Sequence, residues 1–378
     1  MDFTLSEEHT MLQKAVRELA TNKLTPVADE LDRKQEFAWD NFKMMAEMGL
    51  FGLTIQPEYG GSGGDELSIA IAVEEIAWAC ASTADILDVQ LCLCAAPICH
   101  FGTEEQKQRL LPPLVKGEKV GAHAITESEA GSDVSNLQMT AVRDGNYYIL
   151  RGTKIFITNG DVCDIVMVFA TIPELGARGM TAFIVEKGTP GYSKGKKYDK
   201  LGMRAATNAD QLFEDCRIPA ANRLGEEGRG MRIFLDIIDH GRIGIAAQAL
   251  GITRAALERA VDYAKQRQQF GSPISSYQSI AWRLADISTE LEAARLLVHK
   301  AAWLADHGQP FRTEAAMAKV YASELAMRAT TLGIQVFGGY GYMMDSPMQR
   351  YFRDAKLTEI YEGTSEVQRL VISVPLFR

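Results

Sequence analysis

Along the first 120 residues apolar positions recur every three or four places, the period of a helix with one buried face. Leu5, Met11, Leu12, Val16 and Leu19 form such a stripe, and Ser6 ahead of Glu7 and Glu8 reads as a helix start. Pro57 and four glycines interrupt the pattern at 53–64, LTIQPEYGGSGG, and predict a loop there. Helical spacing resumes over 67–80, a third helix opens at Ser82, and Pro112-Pro113 closes the section. From Gly121 the period shortens. Runs at 139–142 and 147–150 flank Asp144-Gly145, a hairpin signal, and β-rich runs follow at 155–158, 165–170 and 180–185. From Met231 helical spacing returns over 243–265, 279–305 and 313–337, broken by Gly308-Gln309-Pro310. The pattern predicts an α+β chain of three domains: helical 1–120, a compact β-domain 121–230, and a helical bundle 231–378.

Composition narrows the class. The 378 residues are 47% hydrophobic and 24% charged, enough to build a large core and too apolar for a disordered chain. Apolar runs are interrupted short of 18 residues, for example at Asp239 and Gln248, so no membrane-spanning helix is expected. A net charge of -9 argues against a nucleic-acid partner. Six cysteines include no C-x-x-C pair, and three fall inside 91–99, which reads as small buried residues of a reducing compartment. No metal site is expected. MDFTLSEEHTML has neither a basic n-region nor an Arg-rich transit pattern, so the chain is expected to be cytoplasmic, or already processed if it belongs to the mitochondrial matrix.

Several segments carry candidate chemistry. HAITESEAGSD at 123–133 joins hydroxyls to glycine between a helical and a β-rich section, a loop able to bring backbone N–H groups close to a phosphate or polar ring. KIFITNG at 154–160 adds an aromatic and a threonine; taken alone it is an ordinary strand with Phe156 in the core. Near the C-terminus stand YAKQRQQFG at 263–271, the glycine turn QVFGGYGY at 335–342, and RDAKLTEIYEGTSEVQR at 353–369. In the last, Thr364 is placed to cap a following helix, and Glu362 by itself reads as a solvated loop acid.

In this order and spacing, TESEAGSD, FITNG, RQQFG, QVFGGYG, RDAK and YEGTSEVQR resemble the FAD-dependent acyl-CoA dehydrogenase family over essentially the whole chain. The resemblance implies an N-terminal helical domain, a middle β-barrel-like domain and a C-terminal four-helix bundle. It implies α-proton removal from an acyl-CoA thioester, β-hydride transfer to FAD, reoxidation by electron-transferring flavoprotein, and a homotetramer. By similarity Glu362 is the base, and its backbone N–H helps to bind the thioester carbonyl. Ile125, Thr126, Ser132, Phe156 and Thr158 would meet the flavin and pyrophosphate, with Thr364 and Glu366 near the phosphate–ribose end. Glu366 replaces the glutamine common at its position. Arg267, Phe270, Gln278, Gln335, Gly338 and Gly339 would reach FAD from an adjacent subunit. Ser132, Asp239, Arg242, Tyr361 and Gly363 match substrate-contacting positions.

Some members carry the base just before the arginine that matches Arg242; here that position is Gly241, which leaves Glu362. The helix from Ser82, which in this family lines the acyl pocket, departs more. Asp85 is explained by a capping box on Ser82, although it remains a candidate for the pocket. Asp88 has no such explanation, and Cys92, Ala95 and Cys99 continue its face. Ala84 stands where glutaryl-CoA members carry an arginine. Relatives acting on alicyclic acyl-CoA use an acid in this wall, which makes Asp88 a second catalytic candidate. Ordinary α,β-dehydrogenation is the default; an acyl-CoA oxidase and a non-catalytic acyl-CoA-binding scaffold are the other readings of the same fold.

Overall fold

The computed structural model describes residues 4–377; residues 1–3 and 378 lie outside the described residues. Helix α1 (Glu7–Leu19) begins where the Ser6 hydroxyl accepts the His9 amide at 3.1 Å. Short helices α2 (Ala28–Lys34) and α3 (Trp39–Glu47) lead to the glycine loop, and α4 (Glu66–Ala79) starts on an Asp65 cap. Helix α4 is buried on nearly every side.

The next helix corrects the expectation. Helix α5 (Ala81–Asp88) has Cys80 at its N-cap with no side-chain cap bond, and the Ser82 hydroxyl instead accepts the Ala205 amide of the β-domain at 3.3 Å. The capping box is not formed, so Asp85 is free to face elsewhere. Beyond α5 the chain widens into a π-helical stretch, Val89–Ala95, before α6 (Ala96–Phe101) with Pro97 in its first turn. This run, Ala81–Phe101, is by length and composition apolar enough to cross a bilayer, contrary to the count of uninterrupted apolar residues. It is 83% buried inside the protein and serves as a core helix. Helix α7 (Glu104–Val115) opens on a Thr103–Gln106 capping box. It continues through Pro112-Pro113, whose place in the last turn removes only the hydrogen bonds of that turn.

The middle section is an eight-stranded sheet in the order β6-β7-β3-β2-β4-β5-β8, with β1 parallel to β4. Its strands are β1 (Gly121–Ala124), β2 (Thr140–Asp144), β3 (Tyr147–Thr158), β4 (Ile165–Thr171), β5 (Met180–Glu186), β6 (Tyr192–Lys197), β7 (Asn208–Pro219) and β8 (Arg223–Leu224). The hairpin expected at Asp144-Gly145 joins β2 to β3, with Asp144 opposite Tyr147. Two expected runs, 147–150 and 155–158, are one strand whose pairing with β7 slips between Lys154 and Ile157. At that bulge Phe156 takes a φ of +61° and turns its ring out, 57% exposed, rather than into the core.

Helices α8 (Gly230–Gln266), α9 (Gln278–Asp306) and α10 (Arg312–Phe337), with the shorter α11 (Pro347–Thr358) and α12 (Ser365–Leu376), form the C-terminal bundle. A two-stranded hairpin at 268–273 separates α8 from α9. Arg254 of α8 meets Glu74 and Glu75 of α4 at 2.8 Å each, a buried ion cluster that fastens the first helical section to the last. All six cysteines are buried and unpaired.

Candidate active site

Glu362 lies four residues beyond the end of α11, in a turn where its φ is +52° and that of Gly363 is +92°. A left-handed glutamate costs about 1–3 kcal/mol and persists only where its surroundings impose it. Here they do. Gln368 Nε2 donates to the carbonyls of Glu362, at 3.1 Å, and Gly363, at 2.8 Å, and Lys319 Nζ donates to the Gly363 carbonyl at 2.7 Å. The Thr364 hydroxyl caps α12 by accepting the Val367 amide at 3.3 Å. The turn sends the Glu362 carboxyl against α8, into space that Gly241 leaves open: a Cβ at 241 would stand 3.0 Å from Glu362 Cδ.

Two clefts meet at this turn. The first, about 300 Å³, runs between α5 with its π-helical extension, the sheet and α8, with Asp85, Val89, Leu93, His123 and Phe234 in its walls. The second, about 490 Å³, lies between the sheet and the 357–364 segment and includes Tyr198, Lys200, Asn208 and Thr364. Thr126, Ser132, Phe156, Thr158 and Tyr361 to Gly363 belong to both. Ile125 and Arg242 line the first. Arg242 is fastened by Asp239, which accepts it at 2.7 Å and Arg312 at 2.7 Å. Asp239 therefore stands behind Arg242 and is not a wall of either cleft. Tyr361 donates its hydroxyl to Gln248 of α8, which in turn donates to the Ala81 carbonyl at 2.8 Å.

The acids of α5 divide differently from the expected face. Asp85, Val89 and Leu93, each four residues on from the last, face the first cleft. Asp88 does not line it. It turns toward α8, where a Cβ at Gly244 would stand 3.1 Å from Asp88 Cγ. Burial, partly offset by Lys200, pushes Asp85 up to about 6. Burial and then repulsion from Asp85 push Asp88 up to about 7. Burial and then Asp88 hold Glu362 well above the ordinary carboxylate range, with Lys319 pulling the other way.

Six of the expected contacts are not brought to the clefts within one chain. Arg267, Phe270, Gln278, Gln335, Gly338 and Gly339 gather where α8 and α10 end and α9 begins. Phe270 is 95% exposed, and Arg267 packs over the Tyr340 ring at 5.9 Å. Glu366 is exposed on the first turn of α12 and lines neither cleft.

The comparisons with known proteins decide the family. The chain matches the acyl-CoA dehydrogenase N-terminal, middle and C-terminal domain models at residues 6–118, 122–216 and 228–376. It is 49% identical to the short-chain specific acyl-CoA dehydrogenase of Clostridium acetobutylicum, over 100% of both chains. The chain belongs to the acyl-CoA dehydrogenase family. Among solved structures this dehydrogenase matches butyryl-CoA dehydrogenase from Megasphaera elsdenii with a TM-score of 0.98 and 47% identity, covering 100% of each chain. A chain of a structure described as the electron transferring flavoprotein of Acidaminococcus fermentans matches with the same TM-score of 0.98 and 47% identity, again over 100% of each.

FAD is the cofactor of this dehydrogenase, and the second cleft fits it. Phe156 presents an outward ring at its rim, Thr126, Ser132 and Thr158 supply hydroxyls, and Gly131 leaves backbone open to close approach. Asn208 Nδ2 fixes this edge by donating to the Phe156 carbonyl at 2.6 Å and the Thr158 hydroxyl at 3.0 Å.

Sequence reasoning missed the supports. Lys154, fully buried beneath the 125–132 loop, donates to the Ile125 carbonyl at 3.0 Å and to Glu127 at 2.6 Å, and Glu127 accepts the Gln138 amide at 2.6 Å. Lys319 is fully buried within AAMAKVYA of α10; a lone lysine on an otherwise apolar helix face was the available signal. His123 was marked only as the first residue of the 123–133 segment; it is a wall residue held neutral by burial, its pKa lowered to about 4.

Proposed function

We propose that this dehydrogenase oxidises a short acyl-CoA to its enoyl-CoA with Glu362 as the base. The observation that carries the assignment is that Glu362 is the carboxyl lining both clefts, so it stands between an acyl chain in one and the flavin in the other. The α-proton of a thioester is weakly acidic, so a base of raised affinity must meet it while donors hold the developing enolate oxygen. Glu362 supplies the first and its own backbone N–H, aimed by the left-handed turn, part of the second. FAD supplies the hydride acceptor that no side chain offers. Lys319 holds the Gly363 carbonyl and Arg242 lines the first cleft, so two cations favour the ionised base.

A short acyl group is supported by the names of the relatives and by Asp85, since a carboxyl in the wall is a poor host for a long alkyl chain. Electron-transferring flavoprotein is the acceptor that the Acidaminococcus match supports. Arg267, Phe270, Gln278, Gln335, Gly338 and Gly339 form an exposed end of the bundle, which supports assembly as a homotetramer in which they complete a neighbour's FAD site.

Anaerobic bleaching of the flavin by butyryl-, octanoyl-, glutaryl- and cyclohexenecarboxyl-CoA tests the reading. Butyryl-CoA is expected to bleach fastest. Bleaching by the ring substrate alone would replace the short straight chain with an alicyclic one, and rapid reoxidation by oxygen but not by the flavoprotein would replace the dehydrogenase with an oxidase.

A further inference from the structure

Gly241 and Gly244 lie three residues apart on one face of α8, so their vacancies are neighbours about 5–6 Å apart. Glu362 fills the first and Asp88 the second. Asp88 is buried there and neither of its oxygens has a hydrogen-bond partner of normal geometry; Glu362 is half-buried and open to the clefts, but its Oε2 is buried and likewise without one. A buried carboxylate left without a partner is one of the costliest groups a fold can hold, and two of them side by side cannot both ionise.

The surrounding charges are unequal. Glu362 faces Asp88 and Asp85 from α5, and also Lys319 from α10 and Arg242 from α8. Asp88 faces Asp85 on its own helix, Cys92 of the π-helical stretch, Glu66 of α4 and Glu362 itself, with no cation among them. Tyr361 lies beside both acids. Lys319 pulls Glu362 toward its anion while Asp85 and Asp88 push it toward the proton, so the one proton belongs to the pair rather than to either carboxyl.

We propose that Asp88 is a positioning residue that shares one proton with Glu362, so that the two act as a single acid pair whose proton count sets when Glu362 is free to accept the α-proton. The proposal rests on Glu362 being the base. In the step, the α-C–H bond breaks and an O–H bond forms at Glu362, while the β-hydride leaves to FAD as oxidant. The pair passes from one proton to two and from one negative charge to none, and the extra proton returns to solvent after product leaves.

The test uses the FAD-loaded enzyme and a 3-thiaacyl-CoA, whose α-carbon can lose a proton but which has no β-hydride to give. Its enolate forms a long-wavelength charge-transfer band with oxidised flavin, and the band is titrated against pH. Wild type is expected to show two steps separated by about one pH unit or more, and Asp88→Asn a single step. Two steps retained in Asp88→Asn, or one step with the same midpoint in both proteins, would overturn the pair. A band that survives in Glu362→Gln would instead overturn Glu362 as the base, which separates the two failures. If Asp88→Asn does not bind FAD, infrared spectra of the resting holoenzyme decide: a protonated-carboxyl stretch that moves in Glu362→Gln supports the pair, and none that moves overturns it.

Discussion

A Cβ at Gly244 would stand 3.1 Å from the Asp88 carboxyl carbon, so helices α5 and α8 tolerate the acid only because residue 244 has no side chain. Gly244→Ala is therefore expected to destabilise the protein by about 1–3 kcal/mol through overpacking. Adding Asp88→Ala should return much of that loss, giving a non-additive cycle. Thermal unfolding of the four proteins checks it; simple additivity would mean that residues 88 and 244 do not compete for the same space.

Glu362→Gln keeps the shape of the turn and its bonds from Gln368 and Lys319, which reach only backbone carbonyls. Flavin reduction by substrate should fall roughly 10²–10⁴-fold, the range for loss of a positioned base. The flavin spectrum and CoA affinity should stay close to wild type. Stopped-flow reduction with equilibrium binding separates the two.

The pH dependence has a definite sign. Glu362 binds its proton more tightly than an ordinary carboxylate, so the base is blocked at low pH and the rate of flavin reduction rises with pH through a midpoint above the usual carboxylate range. Lys319 opposes that shift. Lys319→Met should move the midpoint further upward, while the Gly363 carbonyl keeps its bond from Gln368 and holds the turn. An unchanged midpoint would remove Lys319 from the electrostatics of the base.

Arg254→Ala leaves the buried Glu74 and Glu75 without their shared cation, although Arg295 still reaches Glu74 and Arg17 still reaches Glu75. A loss of about 3–5 kcal/mol is expected by denaturant unfolding, the range for breaking a buried pair.

Much of this site could be read from residue order, because YEGTSEVQR carries the proposed base, its glycine and the Thr364 cap in one short segment. What the order could not show is how that segment is held. Lys319 comes from a helix 44 residues away in sequence, and its role depends on a backbone carbonyl that no side-chain pattern reveals. Gly241 was legible as a missing base but not as the space into which Glu362 leans. The wall acids were misdivided for a local reason. Ser82 looked like a cap because an acid follows three residues later, but its hydroxyl is occupied by the β-domain, and a helix start displaced to Cys80 left Asp85 in the cleft. Taken alone the strand would put Phe156 in the core, and the resemblance set it at the flavin; a bulge with positive φ turns the ring out.

Gly251 lets α8 lie so close to α4 that a Cβ there would stand 2.7 Å from Ala77 Cβ, and beside it Arg254 reaches Glu74 across 180 residues of chain. The first and last thirds of the polypeptide are therefore one mechanical body, and the sheet between them in sequence is the part set against it. Both clefts lie along that seam. An acyl-CoA and its product therefore pass between two differently built walls, and slow amide exchange should persist in α4 and α8 together.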